Sequence, residues 1–136
     1  MKKYFFMSLS ILSVMTLFSI IMLSNNAEAF QSNKVELIIT KINNKWKVVD
    51  VSDSTITKVK VKKGQKITWT AQGTDAFFQF MDEKLVGKFK HSLKDGKSIS
   101  LHVGNNAKVG VNNYAVFCLA DLEFAEGGSP PEIIVE

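Results

Sequence analysis

An all-β domain, a Greek-key β-sandwich or barrel of seven or eight short strands, is what this 136-residue sequence predicts. Three observations carry that expectation. Apolar and polar residues alternate with a period of two along almost all of the chain after residue 34, the spacing of strands with one buried face. Turn-forming pairs interrupt the alternation roughly every ten residues. No stretch alternates strand-like with helix-like patterns, so nothing supports a parallel sheet built from βα units.

"VELIIT" puts Val35, Leu37 and Ile39 on one face, and the Asn43–Asn44 turn leads into "KWKVVDVS". "ITKVKVKK" directs Val59 and Val61 inward and Lys58, Lys60 and Lys62 outward, a lysine stripe suited to an outward face or to an edge protected from pairing. The Lys63–Gly64 turn follows, and the alternation resumes at Ile67 and Trp69. "DAFFQFM" alternates Ala76, Phe78 and Phe80. Residues 82–92, "DEKLVGKFKHS", fit either a short helix or an irregular crossover. After the Asp95–Gly96 turn, Ile99, Leu101 and Val103 face inward; "VNNYAVFC" aligns Tyr114, Val116 and Cys118, and "PPEIIVE" closes the domain.

The first 29 residues read differently. A basic "MKK" start, a long apolar run and small residues at Ala27 and Ala29 form the layout of a secretory signal peptide cleaved before Phe30. The run is also long enough to serve as an uncleaved membrane anchor, but no basic stop-transfer cluster follows it. Residues 30–136 are then one domain, exported to the periplasm or secreted, with no membrane span after cleavage. A lone cysteine cannot form an internal bridge, which leaves Cys118 as a buried thiol, a metal ligand or half of an intermolecular bond.

All 17 basic residues are lysines, and the formal net charge is +4. The absence of arginine argues against sequence-specific nucleic-acid recognition, which leans on bidentate guanidinium contacts. No lysine follows Lys108, whereas Asp121, Glu123, Glu126, Glu132 and Glu136 all do. A basic body with an acidic end is expected, and the acidic loop beside Cys118 is suited to steering a basic partner.

Two stretches resemble the cupredoxin family. "ITKVKVKKGQKITWTAQGTDAFFQF" is similar to the strand pair that leads to the first copper-binding histidine, and "LKDGKSISLHV…GVNNYAVFC" to the half that delivers the copper cysteine. The resemblance implies a cupredoxin-type sandwich from about Val35 to Val135. It also implies a thiolate, two imidazoles and a weak thioether around copper. Carried across, the cysteine falls on Cys118. The first histidine falls at or beside Ala76, the second should lie within "LADLEF", and the axial methionine within "AEGGSPP". None of those three is present.

The mature chain offers only His91, His102 and Met81 as other imidazole or thioether donors. His102 is expected to point outward beside Leu101 and Val103, and His91 to be a surface residue. Asp121, Glu123 and Glu126 match no calcium loop. Ala76, Phe77 and Phe78, with Leu119, Leu122 and Phe124, are expected to fill the vacated pocket. The functional expectation is an exported, non-catalytic cupredoxin-like module without a type-one copper site and with no cofactor, serving a binding or structural role. Its partner would be another exported protein, met through Phe77, Phe78, Asp121, Glu123 and Glu126. The alternative is a copper-binding electron-transfer or copper-handling protein ligating through Cys118. An enzyme is not expected, because no base lies near Cys118 in sequence and no phosphate loop or zinc signature occurs.

Overall fold

The computed structural model describes residues 34–126 and 130–136. The expected signal peptide lies outside the described residues. Among these residues no helix is long and apolar enough to cross a membrane. The described residues form ten strands: β1 (Lys34–Ile42), β2 (Lys45–Asp50), β3 (Lys58–Val61), β4 (Lys66–Ala71), β5 (Ala76–Phe80), β6 (Lys90–Leu93), β7 (Ser98–His102), β8 (Gly110–Cys118), β9 (Glu123–Phe124) and β10 (Glu132–Val135). The count exceeds the expected seven or eight because β6 begins inside the ambiguous 82–92 stretch and β9, at two residues, is too short to show a period.

The strands make a two-sheet sandwich. One sheet runs β2-β1-β4-β7; the other runs β3-β10-β8-β5-β6, with β9 paired to β8. Both sheets are mixed, since β1 pairs β4 in parallel and β10 pairs β3 in parallel. Parallel neighbours arise here without helices, because the chain crosses between sheets and returns beside an earlier strand. The Lys63–Gly64 turn is therefore a corner and not a hairpin: β3 and β4, contiguous in the alternating pattern, belong to different sheets. Gly64, at φ +81°, supplies the left-handed conformation this corner needs, and its N–H donates to the Val103 carbonyl at 2.7 Å. β3 is an edge strand, and its outward lysines Lys58 and Lys60 pair with Glu132 and Glu136.

The Asn43–Asn44 turn is a two-residue hairpin with both residues at positive φ, 50° and 63°, the twist that suits antiparallel strands. The ambiguous 82–92 segment resolves into a single 3-10 turn at Glu83–Leu85 followed by β6. Asp82 caps that turn by accepting from the Lys84 N–H at 2.9 Å. Too short for periodicity, the turn still buries Leu85 in the core.

Between the sheets sits an aromatic cluster. Trp69 meets Phe78, Phe80 and Tyr114 edge-on at centroid distances of 5.6, 6.1 and 6.0 Å, and Phe80 stacks on Tyr114 at 5.3 Å. Such pairs add about 0.5–1.5 kcal/mol each beyond the area they bury. The buried Trp69 Nε1–H donates to the Tyr114 hydroxyl at 3.1 Å, which satisfies the indole donor. Burial pushes the Tyr114 phenol well above its usual range.

Candidate functional site

The site of interest is the end of the sandwich where β5 begins and β8 finishes. Ala76 and Cys118 lie directly opposite each other in the antiparallel β5–β8 pair, both with 0% exposure. Leu93 flanks Ala76 on the other side. The thiol therefore faces a methyl group and the apolar core. Burial, with Asp121 and Glu123 nearby, pushes the Cys118 thiol up to about 11. A thiol so placed stays protonated at neutral pH.

The loop after Cys118 is tied down from three directions. The Leu119 N–H donates to the Asp75 carbonyl at 2.9 Å, and the Ala120 N–H to Thr74 Oγ1 at 3.1 Å. Asp121 Oδ2 accepts from Trp46 Nε1 and from Lys41 Nζ, each at 2.6 Å. Those two donors hold its carboxyl below the usual carboxylate range. Lys45 Nζ reaches Glu126 at 3.1 Å, and the Glu126 N–H donates to the Trp46 carbonyl at 2.7 Å. The loop thus fastens the β8 end of one sheet to the β1–β2 hairpin of the other. Asp121 and Glu126 have lysine partners within the chain, which limits the expected role of this loop in steering a basic partner; Glu123 is exposed.

Phe77 and Phe78 divide, because adjacent strand residues face opposite ways. Phe78, expected at a partner surface, is 2% exposed and packs on Trp69, so that expectation is corrected. Phe77 points outward. It lies opposite Phe117, which lies opposite Phe124 across β9. Phe117 and Phe124 meet edge-on at 5.1 Å. Contrary to the expectation that they fill the vacated pocket, Phe77, Leu119, Leu122 and Phe124 do not close around Cys118. They are exposed, Leu122 at 72% and Phe124 at 64%. Leu122 also holds φ +54°, a left-handed conformation unfavourable for a branched side chain. An unfavourable backbone and an exposed side chain coincide in this one residue.

The copper set of the resemblance does not fit these residues. His91 lies on β6 opposite Phe78, which itself pairs with Val116, so an aromatic ring stands between that imidazole and β8. It is directed inward beside Phe80 at 5.9 Å, contrary to the expected surface placement, with Nε2 buried and without a hydrogen-bond partner. Burial, then the nearby Lys88, lowers its pKa. His102 is exposed on β7 as expected, and Met81 is exposed at the far end of β5 from Ala76. Among the described residues no three His, Cys, Asp or Glu side chains come together as a metal site.

No family model matches the chain, and no curated protein does. It is similar to solved structures of amicyanin variants. An oxidised variant shares 17% identity at a TM-score of 0.46, covering 79% of this chain and 87% of that one. A reduced variant shares 17% at 0.46, covering 81% and 88%. The copper(I) form of another mutant shares 18% at 0.46, with the same coverage. The sandwich assignment stands on the strand pairing itself.

Proposed function

We propose that this chain is an exported, cupredoxin-like binding module that carries no type-one copper and performs no catalysis. The observation that carries the reading is the Ala76–Cys118 pair: the position where an imidazole would meet the thiolate holds a methyl group, sealed at 0% exposure. The engagement of Asp121 by Trp46 and Lys41 supports it, since the carboxylate nearest the thiol in sequence already has two donors. Export follows from the leader layout of residues 1–29. The partner, another exported protein, would meet the outward aromatic row and its flank, Phe77, Phe117, Leu119, Leu122 and Phe124. Exposed apolar clusters of this kind mark interaction surfaces, and the backbone conformation of Leu122 is of the sort retained where the side chain has a use.

The test is metal loading of the purified protein and its Cys118→Ala variant, with copper(II) and copper(I) added separately. The expected result is no cysteine-dependent metal in either oxidation state. Stoichiometric copper(II) with a thiolate charge-transfer band that disappears in the variant would replace this reading with an electron carrier of unusual ligation. Colourless copper(I), lost in the variant, would instead indicate copper storage or delivery.

A further inference from the structure

The opposite end of the sandwich from Cys118 carries a separate feature. β4 starts at Lys66, β1 at Lys34, and β7 finishes at His102. The register sets the three side by side: Lys34 opposite Lys66, and Lys66 opposite His102. Lysines gathered on neighbouring strands repel one another where no counter-charge stands between them. The β3–β4 corner adds Lys62 and Lys63 to the same place. Together with Gln65 these side chains line an open pocket of about 590 Å³, and no Asp or Glu is among its lining residues. Lys34 pairs with Glu36. Among the described residues none of Lys62, Lys63 and Lys66 forms an ion pair.

The pocket walls are set by hydrogen bonds at the β3–β4 corner. The Gln65 N–H donates to the Lys62 carbonyl at 3.0 Å, the Gln65 side-chain oxygen accepts from the Lys62 N–H at 2.9 Å, and the Val103 N–H donates to the Gln65 carbonyl at 2.9 Å. Because the Gln65 oxygen is committed, its amide N–H₂ is the part left to donate. The site therefore combines ammonium groups, an amide donor and an imidazole on a braced corner. That donor set suits a multiply charged oxyanion and rejects cations.

We propose that this lysine-lined pocket binds phosphate groups, as a free polyphosphate-type anion or as the phosphates of an anionic lipid surface. A bound anion supplies the counter-charge that Lys62, Lys63 and Lys66 lack among the described residues. Lysines act here as point charges, which need no bidentate geometry, and this agrees with a chain that has 17 lysines and no arginine.

The experiment uses tripolyphosphate calorimetry at physiological ionic strength on the protein with and without residues 1–29. It is run beside sedimentation with phosphatidylglycerol and phosphatidylcholine vesicles. The test variant is Lys62→Gln/Lys63→Gln/Lys66→Gln. The control, Lys58→Gln/Lys60→Gln/Lys90→Gln, removes the same charge outside the pocket lining. Saturable tripolyphosphate binding, weakened at least about tenfold in the test variant and little in the control, supports a free-anion site. Binding to phosphatidylglycerol vesicles alone, with the same variant pattern, supports the lipid-phosphate source. The test variant should also melt higher than the native protein without ligand and lose the upward shift that tripolyphosphate gives the native protein. No binding to either probe, or equal weakening by both variants, overturns the proposal.

Discussion

Cys118 shows how burial decides the chemistry of a residue whose identity suggests more. A thiol raised to about 11 holds about a hundredfold less thiolate at neutral pH than an unperturbed one, and thiolate is the reactive form. Iodoacetamide at pH 8 should leave Cys118 unmodified in the folded protein and alkylate it fully in denaturant; rapid labelling of the native state would contradict the sealed position. Tyr114 is a second case. Its hydroxyl is the acceptor for the buried Trp69 Nε1–H. Tyr114→Phe keeps the ring and its stacking but strands that donor, at a cost of about 1–3 kcal/mol. Urea unfolding should show a lower midpoint with an unchanged slope, and an unaltered midpoint would mean that the indole finds another acceptor.

Elements hold one another through contacts that their own patterns do not announce. The 3-10 turn at Glu83–Leu85 is pinned because the Gly104 N–H donates to the Leu85 carbonyl at 2.8 Å. A Cβ at Gly104 would stand 2.2 Å from the Lys84 carbonyl oxygen, so the turn must move for any other residue to fit. Gly104→Ala should destabilise the protein by about 1–3 kcal/mol and expose Leu85. Hydrogen exchange at Gly104 and at the flanking 83–87 segment would report the opening, and unchanged protection there would show that the turn yields without cost. The 119–126 loop is a similar fastening. Asp121, Glu126 and the Trp46 carbonyl join the two sheets, and only the fold brings residues 75–80 positions apart within 2.6 Å.

At the scale of the whole molecule the ionisable groups set a pH window. His91 is lowered from 6.5 by burial, so below that value the unfolded chain takes up a proton that the folded one resists, and stability falls as pH drops. The paired carboxylates of Asp75 and Asp121 are lowered from 3.8; their contribution, complete above that value, is lost as they are protonated in stronger acid. On the alkaline side Cys118 is raised from 9.0 to about 11. Above 9.0 the unfolded chain releases its thiol proton first, and this group lowers stability by at most about 1.4 kcal/mol per pH unit; the buried Tyr114 phenol, raised from 10.0, adds to the decline above that value. Thermal melts should plateau between roughly neutral pH and pH 9. Cys118→Ala should flatten the first part of the alkaline limb and His91→Gln the first part of the acid limb. Limbs unchanged in both variants would assign the pH dependence to other groups.

Residue order alone was enough for most of the strands and the face each buries, β6 and β9 excepted, because period-two alternation is a local property: Leu37, Ile39, Val59, Val61 and Val116 are buried where alternation placed them. Residue order also shows that no histidine or methionine follows Cys118, whereas the positions of His91, His102 and Met81 relative to it are set only by the fold. Which strands pair was a different matter. β3 and β4 are contiguous in the alternating pattern and lie in separate sheets, because a corner and a hairpin use the same Lys-Gly turn chemistry. Exposure after Cys118 was also decided in three dimensions. Leu119, Leu122 and Phe124 look like core filling by hydrophobicity, but hydrogen bonds from Leu119 and Ala120 to the 74–75 segment carry the loop across the outside. The lysine row belongs to the same class: Lys34, Lys66 and His102 are far apart in the chain, and only strand register, a property of pairing and not of any one strand, places them together.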